Sequence, residues 1–364
     1  MQQISTLFFC DGCGAANELE ATHCCACQQA LSATFATDPV SQQETAAQAA
    51  ETSEGLAATL TTANQAVPGD CLPGTVLLGR YRVRQEIGSG GFSTVYLTDD
   101  ILMGNRPVAV KRISLQTLTP RQMIDATETY HREEKTLTLL QGVEGIPRFY
   151  ESFTDAENWY LAMEYIPGQT LDEYLQTIPG GYLPETQVIE FGQKLAAILQ
   201  RMHQPLFGVV FRDVKPANIM LTPTGQLYLI DFGIARFFSP GQKKDTTPLG
   251  TPGFAAPEQF GISQTDIRTD IYGLGMTLQT LLTGHDPLEL ARGHQPRNPQ
   301  QPSRRLRRLL EQMTERKIER RISSMHEVES RLRHLQRIAL PIGRRSSPIL
   351  AKVRLLLPGA RSGA

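Results

Sequence analysis

Asp213, Asn218 and Asp231 are the residues of this chain whose types and spacing could do chemistry on a phosphate. Asn218 lies five residues after Asp213 and Asp231 thirteen after Asn218, within VVFRDVKPANIMLTPTGQLYLIDFG from Val209 to Gly233. Two short apolar runs, 219–221 and 227–230, stand either side of a Pro-Thr-Gly turn, and that pattern predicts a hairpin. A hairpin brings its ends together, so Asn218 and Asp231 should face one another. An amide oxygen and a carboxylate at that mouth suit a hard dication, Mg2+ or Mn2+. Asp213 is then left to orient a hydroxyl nucleophile.

This stretch resembles the catalytic loop and Asp-Phe-Gly segment of eukaryotic-type (Hanks-type) protein kinases. Asp213, Lys215 and Asn218 match the first, and Asp231-Phe232-Gly233 matches the second, at a family-like separation. The resemblance implies magnesium on Asn218 and Asp231, and Lys215 neutralising the transferring phosphoryl group. One departure is visible: Phe211 stands where the family has His. That position packs a ring beneath the loop, so an aromatic substitute leaves the catalytic roles in place.

Other elements must bring a nucleotide to these groups. Ile87-Gly88-Ser89-Gly90-Gly91 opens a glycine-rich turn between two β-prone runs, followed by Val95. Glycines let the backbone close over phosphates, and Val95 can cover an adenine face; the family's third glycine is Ser93 here. Val108-Ala109-Val110-Lys111 resembles the strand whose lysine holds the α- and β-phosphates. No Walker-type motif is present, and these glycines lead into a strand, whereas those of a Rossmann site open a helix. Periodicity predicts a helix over 120–140, with Leu137 and Leu140 on the same inward face as Glu133. Glu133 is therefore the expected partner of Lys111, with Glu134 next in line. Residues 159–164 read as a strand entering a hinge. The resemblance puts Met163 behind the adenine pocket and backbone groups of Glu164 and Ile166 on the adenine edge.

Residues 171–176 and 185–203 are helical by period. Residues 234–258 resemble an activation segment; they contain Thr246 and Thr247 and end in Ala256-Pro257-Glu258. Arg212 beside Asp213 implies switching by phosphate on that segment, with Thr246 or Thr247 as phosphosite. Lys215 and Thr251 imply Ser/Thr acceptors. By the same resemblance Asp270 braces the catalytic loop and Arg321 pairs with Glu258.

The cysteines form a second constellation. Five of the six lie between residues 10 and 27, as Cys10-x-x-Cys13 and Cys24-x-x-Cys27 separated by ten residues. This spacing fits a small ribbon with a tetrahedral Zn2+ on four thiolates. Cys25 is then a spare thiol, and disulfides are the alternative, disfavoured in a reducing compartment.

Charge is uneven along the 364 residues. Residues 1–79 hold eight acids and no Lys or Arg, so the remainder, with all 36 basic residues against 29 acids, carries about +7. An acidic ribbon has nothing to offer phosphate, so no nucleic-acid partner is expected. From Arg331 onward there are eight basic residues and no acid, which suits a weak membrane-surface contact or an intramolecular one. No apolar run reaches the ~18 residues of a membrane helix, and the expectation is a cytoplasmic protein.

The chain is therefore read as a zinc ribbon (1–31), a flexible low-complexity linker (32–75), a kinase domain (76–338) and a basic tail (339–364). The expected fold class is α+β, a two-lobed kinase fold with a small β-rich lobe and a large helical lobe. The expected activity is that of a bacterial-type Ser/Thr kinase using ATP, Mg2+ and protein substrates. A scaffold that binds partners without catalysis and a zinc-ribbon binding module are the alternatives; intact Lys111, Asp213, Asn218 and Asp231 speak against the first, and the absence of Lys and Arg before Arg80 against the second.

Overall fold

A computed structural model describes residues 7–9, 16–18, 22–23, 72–90, 93–116, 118–155, 157–237, 250–260 and 264–339. Near the N-terminus β1 (Leu7–Phe9) and β2 (Ala16–Glu18) pair antiparallel, with Leu7 opposite Glu18 and Phe9 opposite Ala16. The small lobe follows: β3 (Val76–Leu77), β4 (Tyr81–Ser89), β5 (Ser93–Asp100), β6 (Arg106–Ser114), α1 (Pro120–Leu139), β7 (Phe149–Thr154) and β8 (Asn158–Glu164). Its six strands form one antiparallel sheet in the order β3-β4-β5-β6-β8-β7. In β4 Tyr81 and Val83 turn inward while Arg82 and Arg84 turn out, the alternation of a strand with one wet face. Tyr81, Phe153 and Tyr160 stack across the inner face, at centroid distances of 5.8 and 4.7 Å.

The lobe is clasped at one end by a buried carboxylate. Asp100, with no side-chain exposure, accepts from Arg80 at 2.7 and 2.8 Å and from Arg106, tying together the edges of β4, β5 and β6. Arg80 also reaches Glu151 of β7 at 2.6 Å. Helix α1 starts at Pro120 behind a Thr119/Gln122 capping box. Ala126, Tyr130, Glu133 and Leu137 recur on its buried face, so Glu133 is a charge inside an apolar stripe. The β2 strand lies against α1.

The large lobe comprises β9 (Gln169–Thr170), α2 (Leu171–Thr177), α3 (Glu185–Met202), β10 (Val209–Val210), β11 (Ile219–Leu221), β12 (Leu227–Leu229), β13 (Arg236–Phe237), α4 (Ile267–Thr283), α5 (Pro287–Ala291), α6 (Arg304–Met313) and α7 (Met325–Ala339). Helix α3 is its axis. Val188, Phe191, Leu195, Leu199 and Met202 recur at helical spacing and pack into one core with Leu274, Leu278 and Leu281 of α4 and Leu332 of α7. Each such fully buried side chain contributes roughly 1.5–3 kcal/mol. Gly192 marks the closest approach: a Cβ there would lie 3.0 Å from the side chains of both Leu278 and Leu332. Beside this core β11 and β12 form the expected hairpin, Ile219 opposite Leu229. The helices expected over 120–140, 171–176 and 185–203 end within a residue of those observed. No helix among the described residues is long and apolar enough to cross a membrane.

Candidate active site

The β11–β12 hairpin positions the metal-type groups. Asn218 immediately precedes β11, and the Ile230 N–H donates to the Asn218 carbonyl at 2.9 Å, extending the ladder to the mouth. Asp231 follows with φ of +65°, a left-handed conformation that an aspartate tolerates at a cost of roughly 1–2 kcal/mol. The turn throws its carboxylate toward the small lobe, where Lys111 Nζ lies 2.9 Å from Oδ1. Phe232 goes the other way, into the core, and meets Phe211 edge-on at 5.1 Å. Gly233 keeps α1 close: a Cβ there would lie 3.1 Å from Thr129 Cγ2.

Lys111 stands between two carboxylates, donating to Glu133 Oε1 and Oε2 at 3.0 and 2.7 Å as well as to Asp231. Glu134, the other acid considered for this pair, takes Ser152 and His131. Burial alone would discharge the Lys111 ammonium; the charges of Asp231 and Glu133 outweigh it and hold its pKa above the ordinary lysine value. The charge of Lys111 in turn holds Asp231 below the usual carboxylate range, while burial pushes Glu133 above it.

Strand register sets the rest of this wall. Val95 of β5 is opposite Lys111 of β6, and Lys111 is opposite Leu161 of β8; two residues along, Ala109 is opposite Met163. Cross-strand neighbours share a face, so Val95, Ala109, Lys111 and Met163 line one side of the sheet. Ile87, Gly88 and Ser89 end β4, with Gly88 opposite Val95 and Ser89 opposite Thr94. The Gly90 N–H closes the turn on the Ser93 carbonyl at 2.7 Å. Gly91 lies outside the described residues. At the hinge the Glu164 N–H donates to the Arg148 carbonyl at 2.7 Å and Ile166 is buried.

Opposite this wall is the catalytic loop. Thr251 Oγ1 donates to Asp213 Oδ1 at 2.7 Å and accepts from Lys215 Nζ at 2.7 Å. Lys215 and Asn218 Nδ2 each also reach Asp213 Oδ2 at 2.8 Å. A carboxylate offers about four acceptor sites, so these three bonds leave Asp213 room for one more donor. The loop is held in an unusual backbone shape, Arg212 having φ of +71°. Asp270, at the start of α4, accepts from Phe211 N at 2.9 Å, Arg212 N at 2.7 Å and His203 Nε2 at 2.7 Å. Gln259 Nε2 donates to the Arg212 carbonyl at 2.8 Å, and Arg321 grips both oxygens of Glu258 at 2.7 and 3.0 Å. Sequence reasoning missed His203 and Gln259, which sit at a helix end and beside Glu258 with no pattern of their own.

Cys10, Cys13, Cys24 and Cys27 lie outside the described residues, as do Thr246 and Thr247. Among the described residues no group of three or more His, Cys, Asp or Glu could hold a metal ion.

The family model for the protein kinase domain matches residues 81–333. The chain is similar to Serine/threonine-protein kinase B of Synechocystis sp., 33% identical over 225 residues, covering 59% of this chain and 38% of that protein. It is also similar to Serine/threonine-protein kinase PknL of Mycobacterium tuberculosis, 34% identical over 219 residues (60% of this chain, 53% of that one). Serine/threonine-protein kinase PrkC of Bacillus subtilis is 31% identical over 219 residues (60% and 32%). These matches span between about a third and a half of the relatives' own length.

Proposed function

This chain belongs to the protein kinase family, and we propose that it is a Ser/Thr kinase that transfers the γ-phosphoryl group of ATP to protein hydroxyls. The observation that carries the reading is Lys111 held between Glu133 and Asp231 across from the Asp213–Lys215–Thr251–Asn218 cluster. The glycine turn 88–91 would cover the phosphates, and Val95, Ala109 and Met163 would flank the adenine. With the Glu164 N–H engaged by Arg148, the adenine edge falls to the Glu164 carbonyl and to Ile166.

The donor set fits the magnesium that the family implies. Asn218 commits its Nδ2 to Asp213, leaving Oδ1 to face a cation, and Asp231, with 52% of its side chain exposed, has a second oxygen free of Lys111. A magnesium ion there would supply charge neutralisation for the phosphate oxygens. The protein's own groups do the rest. Asp213 orients the acceptor hydroxyl and takes its proton as that oxygen bonds to the γ-phosphorus. The bond from this phosphorus to the β–γ bridging oxygen breaks, ADP leaves, and Lys215 offsets the charge in flight. Positioning and fixed charge account for most of the rate gain in such a site.

Two finer proposals accompany this one. Thr246 or Thr247 is the principal phosphosite of the activation segment. The four cysteines Cys10, Cys13, Cys24 and Cys27 hold one zinc; the antiparallel pairing of β1 and β2 supports this, because residues 10–13 fall in their connection. ATP as donor also favours a cytoplasmic location. Incubation of the full chain with Mg-ATP, followed by phosphosite mapping, tests the central reading. Phosphate should appear on Ser and Thr, Thr246 or Thr247 included, and Asp231→Ala should abolish it while leaving the fold intact, as a cooperative urea transition would show. Undiminished labelling in that variant refutes the mechanism.

A further inference from the structure

Helix α6 reads Arg304-Arg305-Leu306-Arg307-Arg308-Leu309-Leu310-Glu311-Gln312-Met313. Leu306, Leu309, Leu310 and Met313 form its buried stripe, while Arg304, Arg305, Arg307 and Arg308 are all exposed. None of these four arginines has an ion pair among the described residues. Their placement works against the helix. Cations in a first turn oppose the macrodipole, and like charges three and four residues apart repel. The acid nearest the helix start, Glu185, is engaged by the Ser303 N–H and Oγ at 2.8 and 2.6 Å. Local rules broken without a compensating contact mark residues that serve something outside the fold.

Two of the four line a groove of about 530 Å3 between α6 and α7, with Arg305 and Arg308 on the α6 side and Arg331 and His334 on the α7 side. Leu309 and Leu335 also line it and are only 4% and 9% exposed, so they form its floor. Arg331 is bonded across to Gln312 and paired with Glu327. Among the described residues the lining includes no Asp or Glu, so the charge of Arg305 and Arg308 is left without an answer. Arg305 and Gln312 are seven residues apart, about 10 Å along a helix, which is the reach of roughly three extended residues.

We propose that this groove docks an acidic peptide segment of the protein's substrates, with carboxylates on Arg305 and Arg308 and an apolar side chain over Leu309 and Leu335. That the partner is a substrate rests on the kinase reading above; the chemistry of the peptide rests on the groove. Uncompensated arginines call for an anion, and their planar forks match carboxylates. The shape calls for a peptide. A lipid surface needs apolar side chains that enter the acyl layer, and both leucines here lie too deep to do so. Single-stranded nucleic acid is gripped by aromatic stacking, and among the described residues the lining includes no Phe, Tyr or Trp. Helix α6 shares one core with α4, whose Asp270 braces the catalytic loop. A segment seated in the groove is therefore held at a set distance from Asp213, and an acceptor tethered to it gains a local concentration of millimolar order.

Fluorescence anisotropy of the full chain with a fluorescein-labelled EELEELEE peptide tests the binding. It should saturate, weaken as salt rises from about 0.1 to 0.5 M, and be missing for a QQLQQLQQ control. Exposed ion pairs are worth up to about fivefold each, so R305Q/R308Q should lower affinity about five- to twentyfold, with unfolding no easier than in the parent. Kinetics test the role in substrate capture. A peptide of residues 238–253 should be labelled with a KM at least about fivefold lower once EELEELEE is joined to it by a Gly/Ser linker of roughly 30 residues, which spans about 30 Å. The kcat should not change, and R305Q/R308Q should remove the advantage while leaving the untailed peptide's KM and kcat as they were. Equal binding by variant and parent, equal binding of the control, or no binding would each overturn the proposal. So would a preference for phosphatidylglycerol vesicles or single-stranded RNA over the peptide, or a bound tail that leaves the KM where it was. Failure to label either peptide counts against the kinase reading instead, and the anisotropy then decides the groove on its own.

Discussion

Replacing Asp270 by Asn keeps the shape of the side chain and removes one acceptor from the support of the catalytic loop. Asp270 Oδ2 takes the Phe211 N–H and His203 Nε2, and Oδ1 takes the Arg212 N–H. An asparagine has one oxygen and one amide nitrogen. With its oxygen at the Oδ2 position, its NH2 faces the Arg212 N–H; flipped, it faces the Phe211 N–H. One buried backbone donor is orphaned either way, at about 1–3 kcal/mol, and the surviving bonds drop from charged to neutral strength, about 1 kcal/mol more. The expected loss of stability is ~2–4 kcal/mol by urea unfolding. Part of it should be local, because Arg212 sits at φ of +71° and relaxes once its N–H is released. Asp213, the next residue, then loses its position. We expect kcat to fall about 10- to 100-fold, equivalent to ~1.4–2.7 kcal/mol of transition-state stabilisation. The KM for ATP should hold, since the nucleotide wall is built on β5, β6 and β8. A kcat within twofold of the parent, or a loss confined to the KM for ATP, would refute the reasoning.

Two further outcomes follow from other parts of the molecule. The Arg80 hydrogen bond, opposed by burial and aided by Arg106, holds the Asp100 carboxyl below the usual range. A depressed pKa gives stability that is present above the unfolded value near 3.9 and lost as the pH falls through the folded one. Asp100→Asn should therefore destabilise the small lobe by ~3–5 kcal/mol, constant from pH 7 to about 5 and shrinking only below about 4. A gap in urea midpoints that closes between pH 7 and 5 contradicts the assignment. For the N-terminal cysteines, native mass spectrometry should find one zinc in the parent and none in Cys10→Ser/Cys13→Ser. With β2 against α1, that variant should also change the phosphorylation rate without unfolding residues 76–338; a metal-free parent removes the site.

The hairpin carrying Asn218 and Asp231 was legible because two apolar runs around a glycine turn have few other solutions. Glu133 was legible for a similar reason: Leu137 lies one helical turn away on the same face, and periodicity alone chose it over Glu134. What the sequence hid depends on contacts between distant segments. His203 and Asp270 are 67 residues apart, and Gln259 and Arg212 are 47 apart. No local pattern announces that a glutamine will hold a carbonyl it meets only after the lobe has folded. The left-handed backbone at Arg212 and Asp231 was hidden too, since tertiary bonds impose it against local preference. Helix α6 escaped notice because four arginines masked a leucine stripe, and the basic character was assigned to the tail alone.

The supports of the catalytic loop are arranged as two adjacent pairs of residues. Glu258 and Gln259 close the activation segment; Thr269 and Asp270 lie at the start of α4. The first member of each pair meets the other, Thr269 Oγ1 donating to Glu258 Oε1 at 3.0 Å, and Arg321 locks that contact through Glu258 and the Arg268 carbonyl. The second members reach the same residue from opposite sides: Asp270 takes the Arg212 N–H, and Gln259 donates to the Arg212 carbonyl. A residue gripped at both its N–H and its C=O has little freedom left, which is how the left-handed Arg212 persists. Gly250 completes the connection. A Cβ at that position, where φ is +143°, would lie 2.7 Å from Gln259 Nε2. Gly250 therefore stands directly against the side chain that fixes Arg212. A side chain at position 250 would press on Gln259, and through it on the peptide preceding Asp213.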